Sequence, residues 1–453
     1  MSPSPLSLEA AVVCNVARHF AELQARTTAL LDGFQGSSRG YLTPTEDEAV
    51  RHLLVSYWQS RNALLELVFA FRRQTRFEGQ QQSQAFMVAF AAALVLIDAA
   101  RFLRERFHTD RVLRAKLNEP EPHFGIPAWT YETVQSSLTK PLHVWHLYHA
   151  LCYFQEHEAE LQAVGAEEPF GSLLEIIDRL QARLEIGLRS YTRLRIRVKT
   201  RIAWNAVRRD LLHRALFGLQ RLAGNLASHV SVKPDHCPQF PESIVAQLRE
   251  VLRPGDVLIT RKEHALTNYF LPGYWPHAAL YLGDSVELER LGVSHHPNTL
   301  PRWRRLLDLD PHEPKRVLEA MKDGVLIRSF RSPCCSDSIA VLRPQLEDAQ
   351  IAEALCRGLF HEGKDYDFDF DFSRSDRLVC TEVVYRSYEG VAGVAFPLTR
   401  RAGRMTLAAE DLIRMALDQQ HFRPLAVFCS NDCTELLTGE SAAGLLRTKR
   451  CGF

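Results

Sequence analysis

Apolar residues in the first half of the chain recur at the three- and four-residue steps of amphipathic helices. This spacing predicts helices over residues 8–34, 45–74, 83–107, 130–157 and 170–226. Residues that commonly cap helices stand near two of these starts, at Thr45 and Ser83. The stretch 119–127 is rich in proline and predicts a loop. Because strand signals are few before residue 230, the pattern predicts an α-helical domain or bundle over residues 1–230.

A different pattern follows a linker at 231–242 that is rich in proline and polar residues. Short apolar runs next to turn residues predict strands at 257–259, 278–282, 339–342 and 423–429, and a hairpin around the turn Lys322-Asp323-Gly324. Helical spacing predicts helices over 243–252, 348–360 and 406–416, and from Cys380 onward. Acidic and aromatic residues alternate from Tyr366 to Asp371 with the period of a strand. We expect a second domain over 243–430 and a C-terminal tail over 431–453.

Cys380 stands at the start of an apolar run with helical spacing, in the segment DRLVCTEVVYRSYEG. Thr381 and Glu382 fall in the first turn of this predicted helix. A thiol in a first helical turn feels the partial positive charge of unpaired N–H groups, which favours the thiolate. Cys380 is therefore a candidate nucleophile. A buried cysteine that packs as a small hydrophobic residue gives the same local pattern and is the alternative.

A cysteine nucleophile needs a base within hydrogen-bonding reach and a polar group that holds the base. His277 follows Pro276 at the start of a predicted strand and is the candidate base. Glu319 lies among apolar residues in the first strand of the predicted hairpin, where an unpaired carboxylate would be costly. His277 would supply the partner that Glu319 needs. Glu287 and Glu289, which are closer in sequence to the histidine strand, are alternative third groups.

The segments GDVLITR, WPHAALYLGD, VLEAMKDGV, GKDYDFDFDF and DRLVCTEVVYRSYEG occur in this order. Together they resemble the permuted papain-like cysteine hydrolases of the NlpC superfamily, specifically the YaeF/YiiX group, over residues 254–415. The resemblance implies an α+β fold, with a circularly permuted papain-like domain in which a small antiparallel sheet or barrel packs against helices. It also implies that Cys380 is the nucleophile, His277 the base and Glu319 the third member. One departure is Thr381-Glu382, where the family often has Ser-Glu.

Such a triad performs acyl transfer: the thiolate attacks a carbonyl carbon, a thioester forms, and water or another acceptor resolves it. The backbone N–H of Cys380 would be one oxyanion donor, and Tyr274 and Tyr366 are candidates for a second. The resemblance implies amide, thioester or lipid-ester substrates, including peptidoglycan peptides in some members and acyl lipids in lecithin:retinol acyltransferase-like relatives. We therefore predict a cysteine hydrolase or acyltransferase. A peptidase or amidase of peptide substrates, and a catalytically silent binding module of the same fold, are the alternatives.

The 55 basic and 54 acidic side chains argue neither for nor against a polyanionic partner. Their distribution is more informative, because basic and apolar residues alternate over Arg189–Arg221. This pattern is typical of an amphipathic surface for anionic lipid headgroups. A solvated bundle face whose arginines pair with the acidic stretch 156–168 is the alternative, and no nucleic-acid partner is expected. Together with the apolar helical half, the basic segment favours a membrane-associated acyl substrate.

The N-terminus shows no basic segment followed by a long apolar core, so we expect no secretory signal. The most apolar run, Phe86–Leu96, is shorter than the ~20 residues that span a bilayer. Ten cysteines without framework spacing suit a reducing compartment. We expect a cytoplasmic protein, which would be peripheral to the membrane if the basic segment binds lipid.

His143, His146 and His149 recur at three-residue steps, which can place two imidazoles on one helix face for a metal. Their neighbours include leucine, tryptophan and tyrosine, so we predict that these histidines pack in the helical domain instead. The C-terminal cysteines, from Cys429 onward, lack a fourth ligand at zinc-site spacing. We predict neither a metal nor a cofactor.

Overall fold

The computed structural model describes residues 4–34, 36–70, 80–138, 141–195, 238–263, 273–308, 312–401 and 404–450. The chain divides into two compact units, a helical unit and a sheet unit, and the main boundary lies between residues 235 and 236. The described N-terminal part is helical, and the C-terminal part combines an antiparallel sheet with helices. The predicted fold class, a helical region followed by an α+β region, is thus confirmed at this level.

The described part of the helical unit contains the helices α1 (Pro5–Asp32), α2 (Gly36–Arg39), α3 (Pro44–Ala70), α4 (Gln80–Phe107), α5 (Arg111–Leu117), α6 (Thr130–Leu138), α7 (Pro141–Glu156), α8 (Glu158–Val164) and α9 (Phe170–Arg195). Side-chain caps explain two of the starts. The Ser4 hydroxyl accepts the Ser7 N–H at 3.1 Å before α1, and the Asp110 carboxylate accepts two N–H groups of α5. These bonds satisfy N–H groups that have no partner inside the helix.

Helix α4 forms the core of the helical unit. Its residues from Ala85 to Leu96 are at most 5% exposed, and α1, α3 and α9 all pack against it. Phe86 stacks on Phe90, with ring centroids 5.4 Å apart. The apolar run is thus the middle of a 28-residue helix that could, by length and composition alone, cross a membrane. In its most apolar window 78% of the residues are buried within the structure, as expected of a core helix.

The predicted helix over 130–157 corresponds to two helices, α6 and α7, and residues 139–140 lie outside the described residues. Helix α7 begins at Pro141. Proline lacks the N–H that would continue the preceding helix but fits a first turn, which explains the break. The side chains of His143, His146 and His149, and those of the basic segment 189–221, lie outside the described residues, as does the predicted helix beyond residue 195. The packing and lipid binding assigned to these side chains stay predictions.

The sheet unit contains the strands β1 (Val257–Arg261), β2 (His277–Gly283), β3 (Arg316–Met321), β4 (Gly324–Ser329), β5 (Ser338–Pro344), β6 (Asp365–Tyr366), β7 (Arg377–Leu378), β8 (Thr399–Arg401), β9 (Arg404–Thr406), β10 (Phe422–Cys429) and β11 (Leu437–Thr438). Seven of them form one antiparallel sheet in the order β11-β10-β5-β1-β2-β3-β4. Strand β6 pairs in parallel with β7, and β8 pairs with β9. The strands predicted at 257–259, 278–282, 339–342 and 423–429 and the predicted hairpin all belong to the large sheet.

The helices of the sheet unit are α10 (Glu242–Val251), α11 (Ser285–Arg290), α12 (Leu300–Asp308), α13 (Arg331–Cys334), α14 (Asp348–Leu359), α15 (Cys380–Tyr388), α16 (Ala409–Leu417) and α17 (Gly439–Arg450). One hydrophobic core joins α10 to the sheet and includes Leu248, Tyr281 and Phe330. Helix α15 packs against β2, β3 and α14. The segment expected as a tail supplies β11, which pairs with β10, and α17, which packs against β10.

The acid–aromatic run from Tyr366 to Asp371 is not a strand, contrary to the prediction. Strand pairing ends at Tyr366. The Asp367 side chain accepts the N–H groups of Asp369 and Asp371, at 3.0 and 2.6 Å, and Phe370 adopts a left-handed φ of 52°. Aspartate side chains that bind backbone N–H groups compete with strand pairing. The alternation therefore forms a loop held together by its own aspartate, with the aromatic rings buried.

Candidate active site

Cys380 is the first residue of α15, and this helix is held in place by buried side chains and by a hydrogen bond at its C-terminal end. Val383 and Val384 are fully buried, as the apolar spacing predicted. At the other end, the Tyr388 hydroxyl donates a hydrogen bond to the Gly255 carbonyl. Cys380 itself is 3% exposed. The thiol is therefore held at a defined point beside the sheet, where α15 packs against β2 and β3.

The thiol lies beside the start of strand β2. Cys380 Sγ is 3.9 Å from the carbonyl oxygen of Pro276, and the next residue, His277, opens β2. The imidazole interacts with the Cys380 thiol, and its Nε2 lies 2.7 Å from Glu319 Oε2. The structure thus brings together the three residues that the sequence singled out.

The sheet register explains why Glu319 reaches His277. Leu280 on β2 pairs with Leu318 on β3. Extending that antiparallel register by one residue sets Glu319 opposite Ala279, and Ala279 shares a face of the sheet with His277. Diagonal neighbours on one face of an antiparallel pair are within reach of long side chains. Strand pairing therefore makes a contact between residues that are 42 positions apart in sequence.

The side chain of Glu319 is only 1% exposed, and both of its carboxylate oxygens have polar partners. Oε1 accepts a hydrogen bond from the Ser332 hydroxyl on α13 and lies 3.4 Å from Arg328 Nε. Arg328 is held in turn by Asp323, with Nη2 2.5 Å from the carboxylate. The name His277 cluster is used below for Cys380, His277, Glu319, Arg328 and Ser332.

The His277 cluster favours charge on both the imidazole and the carboxylate. Burial alone would raise the pKa of Glu319, but the hydrogen bond and charge of His277, together with Arg328 and Ser332, lower this pKa to about 2. Burial alone would lower the pKa of His277, yet its interactions with Cys380 and Glu319 raise it to about 10. At neutral pH the cluster therefore holds an imidazolium beside an ionised carboxylate.

The two alternative third groups lie elsewhere in the sheet unit. Glu287 belongs to α11, where its carboxylate accepts the N–H of the N-cap residue at 2.9 Å and lies 2.7 Å from Lys315 Nζ. Glu289 is exposed. Of the three carboxylates that the sequence left open, the one hydrogen-bonded to His277 is Glu319.

The two tyrosines considered as oxyanion donors have other contacts. The Tyr274 hydroxyl donates to Glu263 Oε1 at 3.2 Å, and the guanidinium of Arg261 lies 4.4 Å from the centre of its ring. The Tyr366 ring packs against Phe368, with centroids 5.0 Å apart. Because these contacts do not assign a second oxyanion donor, both tyrosines stay predictions for that role.

Sequence reasoning missed Arg328 and Ser332. A signal for Arg328 was present, because the two-residue turn after Met321 sets the hairpin register. In that register Glu319 pairs with Leu326, and Arg328 follows two residues later on the same face. Ser332 lies beyond the strand, on α13, and no spacing rule predicts that its hydroxyl meets Glu319.

A second buried carboxyl group, Glu382, lies in the first turn of α15. Its side chain is fully buried, and Oε1 accepts two hydrogen bonds from Arg386, at 2.8 and 2.5 Å. Arg386 also donates to the carbonyls of Phe372 and Arg374, which ties α15 to the preceding loop. Burial raises the pKa of Glu382 to about 8 and that of Asp367, on this loop, to about 7. Below, Glu382, Arg386 and Asp367 are called the Glu382 cluster.

Among the described residues, no three histidine, cysteine, aspartate or glutamate side chains are grouped so that they could hold a metal ion. The independence of catalysis from metals and cofactors stays a prediction.

Residues 251–437 match the family model described as permuted papain-like amidase enzyme, YaeF/YiiX, C92 family. The matched region runs from the end of α10 to β11 and includes His277, Glu319 and Cys380. No curated protein and no solved structure matched the chain. The family indicates a cysteine-type amidase or peptidase. The resemblance drawn from the ordered motifs is confirmed, because the C-terminal domain of this chain matches the YaeF/YiiX family of permuted papain-like amidases.

Proposed function

We propose that the protein hydrolyses an amide bond, with Cys380 as nucleophile, His277 as general base and acid, and Glu319 as the group that orients the imidazole. The observation that carries this proposal is the 2.7 Å hydrogen bond between His277 Nε2 and Glu319 Oε2, with the Cys380 thiol interacting with the same ring. A thiol next to an imidazole, which is in turn held by a carboxylate, is the arrangement that nucleophilic catalysis requires. The histidine strand precedes the cysteine helix in the chain, which supports a permuted papain-like arrangement.

Catalysis would begin from a thiolate–imidazolium pair. The Cys380 thiolate bonds to the carbonyl carbon of the amide, and the electron pair of the C=O bond moves to oxygen. As this intermediate collapses, the C–N bond breaks and the His277 imidazolium gives its proton to the departing nitrogen. A thioester on Cys380 remains. Water then attacks the thioester, neutral His277 takes the water proton, and cleavage of the C–S bond releases the acid and the thiolate.

The tetrahedral intermediate carries a negatively charged oxygen that needs hydrogen-bond donors. As the first residue of α15, Cys380 has an N–H with no acceptor inside the helix. The helix N-terminus adds partial positive charge at the same place. This N–H is the proposed first oxyanion donor. Glu319 contributes differently, since it holds the imidazole in one orientation and favours its charged form.

An amide ranks above a lipid ester as the substrate. The family that the C-terminal domain matches is described as an amidase family. The preference for a membrane-associated acyl substrate drew on the basic segment 189–221, whose side chains lie outside the described residues. Thioester cleavage, lipid-ester cleavage and acyl transfer are therefore comparison reactions rather than the leading proposal.

The test combines two measurements on the full chain. The first is the rate of Cys380 alkylation by iodoacetamide against pH, read by mass spectrometry, in the wild type and in His277→Ala. The second is turnover of a panel of peptide amides, an acyl thioester and a phospholipid. We expect rapid alkylation of Cys380 at neutral pH, slower alkylation in His277→Ala, and release of amine from at least one amide. Exposed Cys335 is the internal control and should react equally in both proteins.

Two results would change the conclusion. Slow alkylation of Cys380 that is equal in both proteins, with no turnover, would overturn the catalytic role and leave a silent binding module. Turnover of the phospholipid alone, with activated Cys380, would keep the nucleophile and overturn the amide assignment.

A further inference from the structure

Helix α12 presents apolar side chains to solvent. Leu300 is 57% exposed and Leu307 is 51% exposed. These leucines are seven residues apart, so they lie on one face of the helix, and the exposed Arg304 falls between them on that face. Leu306, by contrast, is 3% exposed and faces the sheet unit. The helix therefore has a second apolar stripe that the fold does not bury.

Phe360, at the end of α14, is a further exposed apolar residue next to α12. It is 50% exposed, and its carbonyl accepts a hydrogen bond from Arg302 Nη2 of α12 at 3.0 Å. Lys364 Nζ lies 5.1 Å from the centre of the Phe360 ring. Arg305 forms an ion pair with Glu362, which fastens α12 to the turn after α14. The name α12 patch is used below for Leu300, Arg304, Arg305, Leu307, Phe360 and Lys364.

The α12 patch has more positive than negative charge. The acid in contact with α12 is Glu362, which is already shared between Arg302 and Arg305, and the exposed Asp365 follows Lys364 in the sequence. Among the described residues, Arg304 forms no ion pair. Burial and the nearby cation Arg386 lower the pKa of Lys364. The same excess of positive charge appears next to it, because burial and then Lys364 lower the pKa of His361 to about 3.

We propose that the α12 patch docks the protein on an anionic phospholipid surface. Leucine and phenylalanine side chains would enter the boundary between headgroups and acyl chains, and the arginines and Lys364 would meet lipid phosphates. This inference does not depend on the proposed amide hydrolysis or on the basic segment 189–221.

Charge favours a lipid surface over a second copy of the chain. A two-fold contact through this patch would set the same surface against itself, so both copies of Arg304 and Arg305 would lie in one interface. Like charges that face each other at an interface are unfavourable. An anionic bilayer complements both features of the patch, its apolar side chains and its cations.

The test is co-sedimentation of the full chain with vesicles of phosphatidylcholine alone and of phosphatidylcholine with phosphatidylglycerol, at low and high salt. We expect binding to the anionic vesicles that high salt weakens. Leu307→Ser and Phe360→Ser should each weaken it by roughly tenfold, through loss of buried apolar area. Arg304→Gln should weaken it by about fivefold, as expected for one cation near an anionic membrane. Because Arg304 is exposed, this variant leaves the fold intact.

Met405→Ser supplies the matched control, since Met405 is 44% exposed on β9, outside the patch. It should bind as the wild type does. Equal binding by all variants would assign membrane contact to another part of the chain and overturn the proposal. So would equal binding to neutral vesicles, or loss of binding with inorganic phosphate at matched ionic strength, which would indicate a free-phosphate site. A doubled mass in light scattering that Leu307→Ser abolishes would identify a second copy as the occupant instead.

Discussion

Two buried carboxyl groups lie close to Cys380: Glu319 on β3 and Glu382 in the first turn of α15. The pKa of Glu319 is lowered to about 2, whereas that of Glu382 is raised to about 8. In the His277 cluster, both oxygens of Glu319 have partners, and one partner is an imidazolium. In the Glu382 cluster, Oε1 takes both bonds from Arg386 and Oε2 is buried without a hydrogen bond. Burial is the same in the two places, so the partners decide the charge.

The two clusters therefore differ in their roles, although both lie close to Cys380. The His277 cluster keeps a carboxylate ionised beside an imidazolium, as the proposed proton transfer would require. The Glu382 cluster fastens α15 to the loop that precedes it, and its charge state affects packing rather than chemistry. Four substitutions test whether the two clusters are as distinct as their geometry indicates.

The largest effect is expected for Cys380→Ala. Without the thiolate no thioester can form, so amide turnover should fall on the order of 10⁴-fold or more. The measurement is kcat/KM on the best amide of the panel. Cys335→Ala, which removes an exposed thiol of the same unit, should retain wild-type activity. Comparable turnover in Cys380→Ala would show that the His277 cluster is not the catalytic centre.

Glu319→Gln should lower kcat/KM on the order of 100-fold, because the imidazole loses the group that orients and charges it. The glutamate raises the pKa of His277, so its removal lowers that pKa. The alkaline limb of the pH–rate profile, expected near pH 10 in the wild type, should therefore move to lower pH. Glu287→Gln is the control and should leave the limb in place. An unchanged limb in Glu319→Gln would contradict the assigned role.

Glu382→Gln should alter stability against pH. The raised pKa of Glu382 means that the folded state keeps a proton which the unfolded state releases above about pH 4.5. The free energy of unfolding should therefore fall as pH rises from 4.5 to about 8, and the glutamine variant should show a shallower fall. Urea unfolding at several pH values measures this slope. If Glu382→Gln and the exposed-site control Glu289→Gln give the same slope as the wild type, Glu382 is ionised in the folded protein.

Ser332→Ala should have the smallest effect, a loss of kcat of about threefold to tenfold from one hydrogen bond to a charged group. Its more specific signature is a pH shift. The Ser332 hydroxyl helps to lower the pKa of Glu319, so without it the acid limb should move to higher pH. Ser373→Ala, at an exposed position outside the cluster, is the control. A changed KM with an unmoved acid limb would indicate a structural role only.

Local patterns predicted much of the fold. The apolar spacing of α4 and α15 identified both helices, because a helix that buries a face needs apolar residues at its own period. The same apolar spacing continued past Pro141, where the structure begins a new helix. Proline lacks the N–H that a continuous helix would need at this position. Alternation failed between Tyr366 and Asp371, since the Asp367 side chain binds the N–H groups that a strand would use. The spacing of apolar and polar residues indicates which side chains are buried, but it does not show which groups the backbone N–H and C=O groups bind.

By itself, the sequence determined the helical and mixed regions of the chain, the order of the motifs, and the residues Cys380 and His277 as a candidate pair. Only the tertiary structure showed which of Glu319, Glu287 and Glu289 contacts His277, because that contact depends on the register of β2 against β3. The tertiary structure also decided which buried carboxyl is charged. A pKa depends on the groups within a few ångströms, and for Glu319 those groups come from three separate elements of the fold, β2, β4 and α13.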